Sequence, residues 1–216
     1  MIEYSKIDNL YKRNPDNKAE LIVGQYTRPE FAMINLWDVT EKIDGTNVQL
    51  KFVNDGTVIF NGRTDKAQFS MVQSNFMADL ADKMQDKVMA SIEYHNLESL
   101  TIFGELYGPK IQAGGNYSKT LGFRAFDMLV NDKVWLAPEA VRQNEKAFGL
   151  TDTLPHFGQM TTQQIVMLVS GGFKSTFADN KDYDAEGIIA KPLHNLYDQR
   201  GARVMFKLKT KDLKHV

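Results

Sequence analysis

The chain has 216 residues, a net charge of −1, 43% hydrophobic residues and 25% charged residues, a composition typical of a globular protein. It contains no cysteine, which excludes disulfides, zinc–thiolate sites and iron–sulfur clusters. No apolar run approaches the roughly 20 residues that a membrane span requires, so we expect a cytoplasmic protein with no membrane partner.

The N-terminal third of the chain changes from a polar segment to strands. Residues 5–30 are rich in turn-forming residues, which predicts an irregular segment. Three β-rich runs follow, namely INLWDVTEKI, TNVQLKFV and TVIFNGR. Asp44-Gly45 and Asn54-Asp55-Gly56 separate these runs and are hairpin signals. The pattern therefore predicts an antiparallel meander.

A long amphipathic helix is predicted over residues 70–94. Apolar residues recur there four apart at Val72, Phe76, Leu80, Met84, Val88 and Ile92, with Met77 and Ala81 alongside. This spacing places them on one stripe of a helix, which we expect to face the core.

The rest of the chain mixes strands and helices. Strands are predicted in ESLTIFGELYG, GFRAFDMLV, GIIAKPL and ARVMFKLK, and Trp135 is placed in a short hairpin return. Helices are predicted over 138–148, with Pro138 in the first turn, and over 161–170. Antiparallel strands interrupted by a few helices indicate an α+β domain.

Lys42 lies two residues before the Asp44-Gly45 pair, at the edge of a predicted strand. A lysine acts as a nucleophile only after its ammonium group has lost a proton, and nearby cations favour that loss. Lys207 and Lys209 are two apart on a predicted strand and therefore share one face. Taken alone, these residues are equally consistent with solvated surface lysines.

Several motifs occur together in one order: KIDG followed by Thr46-Asn47, then FGELYG, FRAFDM, EGIIAK and KLK. This order resembles the covalent nucleotidyltransferase superfamily of DNA ligases, RNA ligases and mRNA capping enzymes. The residues around KIDG and the loop GPKIQAGGNYS are similar to the ATP-dependent RNA ligases of bacteriophage and of trypanosome RNA editing. The resemblance runs from about Trp37 to Lys209.

The resemblance implies a single adenylyltransferase domain over residues 1–216, built from antiparallel sheets flanked by helices, with the nucleotide in the groove between them. After Lys209 only Thr210–Val216 remain. We therefore expect neither the C-terminal oligonucleotide-binding barrel of DNA ligases and capping enzymes nor the helical domain of many RNA ligases.

The resemblance also implies roles for individual residues. Lys42 would carry AMP, while Lys207 and Lys209 would hold the α-phosphate. Other nucleotide contacts would come from Glu41 at the adenine amino group, Glu105 at a ribose hydroxyl, Arg63 at the ribose and nucleic-acid end, Asn47 in RNA joining, and Lys191, which closes the EGIIAK motif. Glu186 would bind the divalent metal, with Asp44 as the second candidate ligand.

One aromatic residue of FRAFDM should stack on the base. Either Phe123 or Phe126 fits the motif, and we favour Phe123. The histidines share no metal-ligand spacing and receive no role.

The implied reaction begins when Lys42 attacks ATP in the presence of Mg²⁺ or Mn²⁺. AMP then passes to the 5′-phosphate of an RNA end, which is joined to a 3′-hydroxyl. The expected partners are ATP and nicked or broken RNA, and the expected state is a monomer. The alternatives are a minimal ATP-dependent DNA ligase, a nucleic-acid end-binding protein with the same fold but no activity, and a capping guanylyltransferase.

Overall fold

The structure is a computed structural model that describes residues 2–17, 20–63 and 67–213. The strands are β1 (Asp8–Asn9), β2 (Tyr11–Arg13), β3 (Leu21–Tyr26), β4 (Trp37–Lys42), β5 (Thr46–Val53), β6 (Val58–Gly62), β7 (Ser99–Tyr107), β8 (Gly122–Val130), β9 (Val134–Trp135), β10 (His156–Met160), β11 (Gly187–Pro192) and β12 (Phe206–Lys209). The α-helices are α1 (Met71–Tyr94), α2 (Pro138–Ala147) and α3 (Thr162–Ser170). The predicted α+β class is confirmed.

The chain forms two compact units. We call the described residues of Ser5–Ile43 and Pro155–Val216 the lysine unit, because they include Lys42. Asp44–Leu154, together with the N-terminal residues up to Tyr4, form the helix unit, which contains the 24-residue helix α1.

The lysine unit is built on a five-stranded sheet in the order β1-β12-β11-β4-β10. Neighbouring strands are antiparallel except β1 and β12, which are parallel. One face of the sheet is apolar and joins helix α3 in a core that includes Trp37, Val39, Ile188, Phe206 and Leu208. Because successive strand residues alternate between faces, the residues between these positions lie on the opposite face.

The helix unit contains a second five-stranded sheet, in the order β6-β5-β7-β8-β9. Helix α1 covers one face with a buried stripe of Met77, Ala81, Met84, Val88 and Ile92. The hydroxyl of Ser70 accepts a hydrogen bond from the Gln73 backbone N–H, and the Gln73 side chain returns one to the Ser70 N–H, so a capping box begins the helix. None of the helices in the described part of the chain is both long and apolar enough to cross a membrane.

The predicted meander is wrong at its first turn. Strand β4 pairs with β10 and β11, whereas β5 pairs with β6 and β7 in the other unit. Asp44-Gly45 is therefore not a hairpin turn but the point where the chain leaves one sheet for the other. A Cβ at Gly45 would collide with the Leu106 carbonyl oxygen and with Glu105 Cγ, so glycine is needed for close approach to β7. The second turn, at Asn54-Asp55-Gly56, does connect an antiparallel hairpin of β5 and β6.

The N-terminal segment is also more regular than its composition predicts. Strands β2 and β3 form a two-stranded antiparallel sheet, and β1 extends the main sheet of the lysine unit. Only a few side chains in this segment, such as Leu10, Tyr11 and Leu21, are buried, so the alternating pattern of a strand is too short to recognise.

A β-bulge interrupts the pairing of β7 with β8. Phe103 is opposite Asp127 and Gly104 is opposite Ala125, which leaves Phe126 as an extra residue on β8. The bulge reverses which side chains face the core, because Phe123 and Ala125 lie in the core on one side of it and Met128 lies there on the other.

Candidate nucleotidyl-transfer site

Lys42 is the last residue of β4 and is paired with Gly187 of β11. Trp37 and Val39 of the same strand are in the apolar core, so alternation places Lys42 on the opposite, polar face of the sheet. Its side chain is only 20% exposed. The lysine is therefore held by strand pairing at a partly buried position, and not on a free loop.

Glu186 brings two lysines together. Nζ of Lys42 donates to Glu186 Oε2 at 2.5 Å, and Nζ of Lys209 lies 2.5 Å from Glu186 Oε1. The carboxylate side chain is 12% exposed, so both pairs are largely shielded from water. Charge-assisted hydrogen bonds of this kind fix the donors in position as well as stabilising them.

Gly187 allows this arrangement to form. Its φ is +151°, and a Cβ there would collide with the Leu208 carbonyl oxygen and approach Lys209 Cα. A side chain at residue 187 would thus push β11 away from β12 beside the carboxylate that joins them. The glycine after Glu186 is required by close approach of the strands.

Lys207 shares the polar face with Lys209, two residues along β12. Burial, followed by the ammonium groups of Lys209, Lys42 and Lys6, lowers the pKa of Lys207, and the Glu186 carboxylate opposes this shift. Three ammonium groups therefore lie near a single carboxylate. The excess of positive charge makes this face suited to a phosphate group.

Glu41 and Lys191 occupy other parts of the lysine unit. Glu41 is 1% exposed, and its Oε2 accepts hydrogen bonds from the backbone N–H of Thr176 at 3.2 Å and from its hydroxyl at 3.4 Å. Lys191 is 8% exposed and lies opposite Asp38 in the strand register. It is two residues along β11 from Ile189, which is paired with Lys207, and it lies on the polar face of the sheet.

The remaining predicted residues belong to the helix unit. Asn47 and Glu105 are opposite each other on β5 and β7, on the face away from helix α1. Oε1 of Glu105 accepts a hydrogen bond from the Gly45 N–H at 3.1 Å, and the Asp44 N–H donates to the Tyr117 hydroxyl at 3.3 Å. Glu105 thus anchors the turn that follows Lys42.

The bulge separates the two phenylalanines of FRAFDM. Phe123 is 3% exposed and belongs to the apolar core of the helix unit, whereas Phe126 is partly exposed and contacts Tyr4 edge to face, with ring centroids 5.1 Å apart. The preference for Phe123 as the base-stacking residue is therefore not supported. Its ring already packs in the core and presents no open face.

Arg63 lies next to the N-terminal residues. Its Nε donates to the Tyr4 carbonyl oxygen at 3.4 Å, and its Nη2 is 3.7 Å from Glu3 Oε1. The guanidinium side chain is 44% exposed and can therefore reach a ligand.

The described residues do not contain a cluster of three or more histidine, aspartate or glutamate side chains that could hold a metal ion by themselves. Glu186 nevertheless has suitable chemistry, because Mg²⁺ prefers oxygen ligands and keeps several waters, so one carboxylate with phosphate oxygens is sufficient. A cation at Glu186 would take over the charge balance that Lys42 and Lys209 now provide.

Sequence reasoning missed two residues that hold other side chains in place, Thr176 at Glu41 and Asp127 at Tyr4. Thr176 holds Glu41, but it lies in a loop where no pattern singles it out. Asp127 is fully buried and accepts a hydrogen bond from the Tyr4 hydroxyl at 2.5 Å. A signal for Asp127 did exist, since it is the only acidic residue of FRAFDM.

Comparison with known proteins gives one family and one set of structures. A family model described as RNA ligase matches residues 35–209. Comparison with curated protein sequences gave no match.

The similar solved structures include several of Naegleria gruberi RNA ligase. A point mutant without ligand has a TM-score of 0.63 and 21% identity over 85% of this chain and 52% of that chain. For a mutant with ATP and Mn, the TM-score is 0.66 and the identity is 20% over 96% of this chain and 56% of that chain. For a mutant with AMP and Mn, the TM-score is 0.60 and the identity is 21% over 84% of this chain and 52% of that chain. This chain thus spans about half the length of the ligases it matches, and the likeness shows a shared fold.

Proposed function

The chain belongs to the RNA ligase family, and from that premise we propose that it is an ATP-dependent RNA ligase that carries AMP on Lys42. The observation that carries the proposal is the junction of Lys42 and Lys209 on Glu186, with Lys207 on the same sheet face. A nucleophilic amine and two further cations in one partly buried cluster match the needs of phosphoryl-type transfer, in which alignment and charge neutralisation supply most of the catalysis.

In the first step, a phosphate oxygen of ATP replaces Glu186 as the acceptor for Lys209, and the Lys42 ammonium leaves its ion pair with Glu186 and loses a proton to solvent. The neutral Nζ of Lys42 attacks the α-phosphorus, its surplus proton leaves to solvent, and the bond to the β-phosphate oxygen breaks. Lys207 and Lys209 offset the negative charge that builds up on the α-phosphate. The products are a lysyl–AMP phosphoramidate and pyrophosphate.

Adenine is selected by Glu41 in this proposal. A buried carboxylate accepts hydrogen bonds and cannot donate them when ionised, so it suits the exocyclic amino group of adenine and disfavours the carbonyl oxygen that guanine carries there. Glu41 at present accepts from Thr176, which shows that its oxygens are oriented toward donors. Recognition of ATP over GTP also argues against a capping guanylyltransferase.

The helix unit supplies the remaining nucleotide contacts. We assign base stacking to Phe126, the partly exposed ring of the motif, and the ribose hydroxyl contact to Glu105. Arg63 and Asn47 are assigned to the RNA end in the later steps. Lys191 is buried on the polar face of β11, and we keep it as a predicted nucleotide contact.

A divalent cation would complete the site. Glu186 would hold it, with Asp44 as a second candidate, and its chemistry would be to neutralise phosphate oxygens. The Naegleria gruberi RNA ligase is solved with ATP and Mn and with AMP and Mn, which supports ATP and a divalent metal as the cofactors of this chain.

Two further steps complete the reaction. The 5′-phosphate of an RNA end attacks the lysyl-bound AMP, which regenerates Lys42 and forms an anhydride. A 3′-hydroxyl then attacks the RNA phosphorus and AMP departs, so the strand is sealed.

Labelling with α-³²P-ATP and Mg²⁺, followed by denaturing electrophoresis, tests the first step. We expect a labelled band in the wild type, lost in acid and kept in base as for a phosphorus–nitrogen bond, and no label in Lys42→Ala. The control is Lys133→Ala, an exposed lysine of the helix unit, which should label like the wild type. Label retained by Lys42→Ala would refute the assignment of the nucleophile.

The same preparation separates the alternatives. Labelling by GTP and not by ATP would indicate a capping enzyme, and a protein that binds RNA ends without any label would be a binding module. Sealing of a nicked all-DNA duplex in preference to RNA-containing duplexes would indicate a DNA ligase.

A further inference from the structure

A basic groove lies on the lysine unit beside Lys207. It encloses about 490 Å³, and its lining includes Lys6, Lys12, Arg13 and Lys207. This volume falls within the roughly 300–1,000 Å³ of sites for small ligands. The groove is formed mainly by the N-terminal strands and not by the residues of the ligase motifs.

Strand pairing fixes the N-terminal segment against the reactive face. Strand β1 runs parallel to β12 with Asn9 opposite Lys207, and the Leu10 N–H donates to the Lys207 carbonyl oxygen at 3.1 Å. Lys6 is close enough to help lower the pKa of Lys207. Lys207 therefore belongs both to the groove and to the cluster of Lys42, Lys209 and Glu186.

Three of the four cationic residues that line the groove are available to an anion. Arg13 is paired with Asp212 at 3.3 Å, and Asp8, the acidic residue of the lining, is 4.0 Å from Arg28. Within residues 2–17, 20–63 and 67–213, we find no carboxylate at ion-pair distance from Lys6, Lys12 or Lys207.

We propose that this groove binds the β- and γ-phosphates of ATP, so that the N-terminal strands orient the pyrophosphate leaving group. The proposal rests on the proposed function, because it places the groove in the step in which Lys42 attacks the α-phosphorus. The electron pair of the broken bond stays on the departing pyrophosphate, and Lys6, Lys12 and Lys207 stabilise its charge. Continuity through Lys207 favours this ligand over an RNA backbone, which would need no contact with the reacting phosphate.

The double variant Lys6→Ala/Lys12→Ala tests the proposal, because both side chains are exposed and their loss should leave the fold intact. We expect the rate of lysyl–AMP formation at limiting ATP to fall about tenfold or more. The rate of the reverse reaction, in which added pyrophosphate releases AMP from Lys42 as ATP, should fall by a similar factor. Sealing of RNA that is already adenylylated, which involves no pyrophosphate, should stay within about twofold of the wild type. Lys211→Ala, an exposed lysine outside the groove, is the matched control.

Loss of sealing with normal lysyl–AMP formation would show that the groove binds RNA and would overturn the proposal, as would unchanged rates in all three reactions. A binding measurement separates failure of the groove proposal from failure of the ligase assignment. Inorganic pyrophosphate should raise the Tm of the wild type and of Lys42→Ala, but not that of the double variant. A Tm shift of this kind in a protein that is not labelled by ATP would support pyrophosphate binding in the groove and would refute the ligase assignment.

Discussion

The two units use the same architecture for different chemistry. Each places an apolar core on one face of a five-stranded sheet and leaves polar side chains on the other. In the lysine unit the polar face carries the ammonium groups of Lys42, Lys207 and Lys209 around one carboxylate. In the helix unit the corresponding face carries Asn47 opposite Glu105, with the aromatic rings of Phe103 and Phe126 nearby on β7 and β8.

We propose that the lysine cluster serves the reaction, whereas Glu105 and Phe126 of the helix unit serve recognition of the nucleotide. Burial, followed by the ammonium groups of Lys209, Lys42 and Lys6, lowers the pKa of Lys207, and the gathering of these cations is unfavourable until an anion arrives. In the helix unit, the amide of Asn47 and the ring of Phe126 are uncharged, and the single carboxylate of Glu105 accepts a hydrogen bond from the Gly45 N–H, so this face carries no such penalty. Substitutions in the lysine unit should therefore change reaction rate most, and those in the helix unit should change nucleotide affinity or stability.

The largest effect is expected for Lys42→Arg. A guanidinium keeps the positive charge and can still pair with Glu186, but it is not deprotonated and cannot attack phosphorus. Lysyl–AMP formation should fall by about 10³-fold or more. The Tm, measured by calorimetry, should remain close to that of the wild type. A large drop in Tm would instead indicate that Lys42 is needed for folding.

Replacement of the two phenylalanines of FRAFDM should have different effects, on stability for Phe123 and on ATP binding for Phe126. Phe123→Ala removes a core side chain and should lower the free energy of unfolding by about 3–5 kcal/mol, as measured by urea denaturation. Phe126→Ala should cost less stability and should raise the KM for ATP. If Phe123→Ala proved stable and impaired ATP binding, the assignment of base stacking to the bulge residue would be wrong.

A smaller effect is expected for Glu105→Gln in the helix unit. The amide keeps an oxygen that can accept from the Gly45 N–H, but it loses the charge that would favour the ribose hydroxyl. We expect a loss of about tenfold in kcat/KM for ATP, with the larger part in KM. In the Lys42→Arg variant, in contrast, the loss should be in kcat. The different effects of the two variants on KM and kcat test the division between the units.

The smallest effect is a change in stability at Lys207. Because its pKa is lowered on folding, the folded protein binds this proton more weakly than the unfolded chain does. The charged lysine therefore lowers stability at neutral pH, and the penalty fades as the pH rises through the folded-state pKa toward the ordinary value of 10.5. Lys207→Met should raise Tm by a few degrees at pH 7, and the gain should shrink as the pH rises toward 10.5. Lys211→Met, on an exposed side chain, should show no such trend.

Local pattern was enough to predict the long elements. The apolar spacing of residues 70–94 identifies helix α1, and the run of Thr46–Val53 matches β5 residue for residue. These features depend on neighbours in sequence, which periodicity reports directly.

Other features depend on partners that are distant in sequence. Asp44-Gly45 has the composition of a hairpin turn, yet it connects two sheets, because β4 finds its partners more than a hundred residues later. The bulge at Phe126 is set by the pairing with β7, so the motif alone left the choice between Phe123 and Phe126 open, and the preference for Phe123 fell on a core residue. The basic groove arises because β1 adds to β12 at the far end of the chain.

The residue roles of the candidate site came from the order of motifs and not from periodicity. The structure brings Lys42, Glu186, Lys207 and Lys209 together in one unit, and no spacing in the sequence contains that information. Their catalytic and nucleotide-binding roles, like those of Asn47, Arg63, Lys191 and Asp44, remain predictions to be tested by the variants above.

The Glu186 bridge also bears on how the protein behaves in a cell before it meets its nucleotide. An amine tied to a carboxylate is a poor target for acetyl donors, aldehydes and other electrophiles that modify exposed lysines. The resting molecule should therefore preserve Lys42 while its surface lysines are modified, and a triphosphate should expose it. Differential acylation read by mass spectrometry would reveal this protection if, without nucleotide, Lys42 is labelled in Glu186→Ala and not in the wild type.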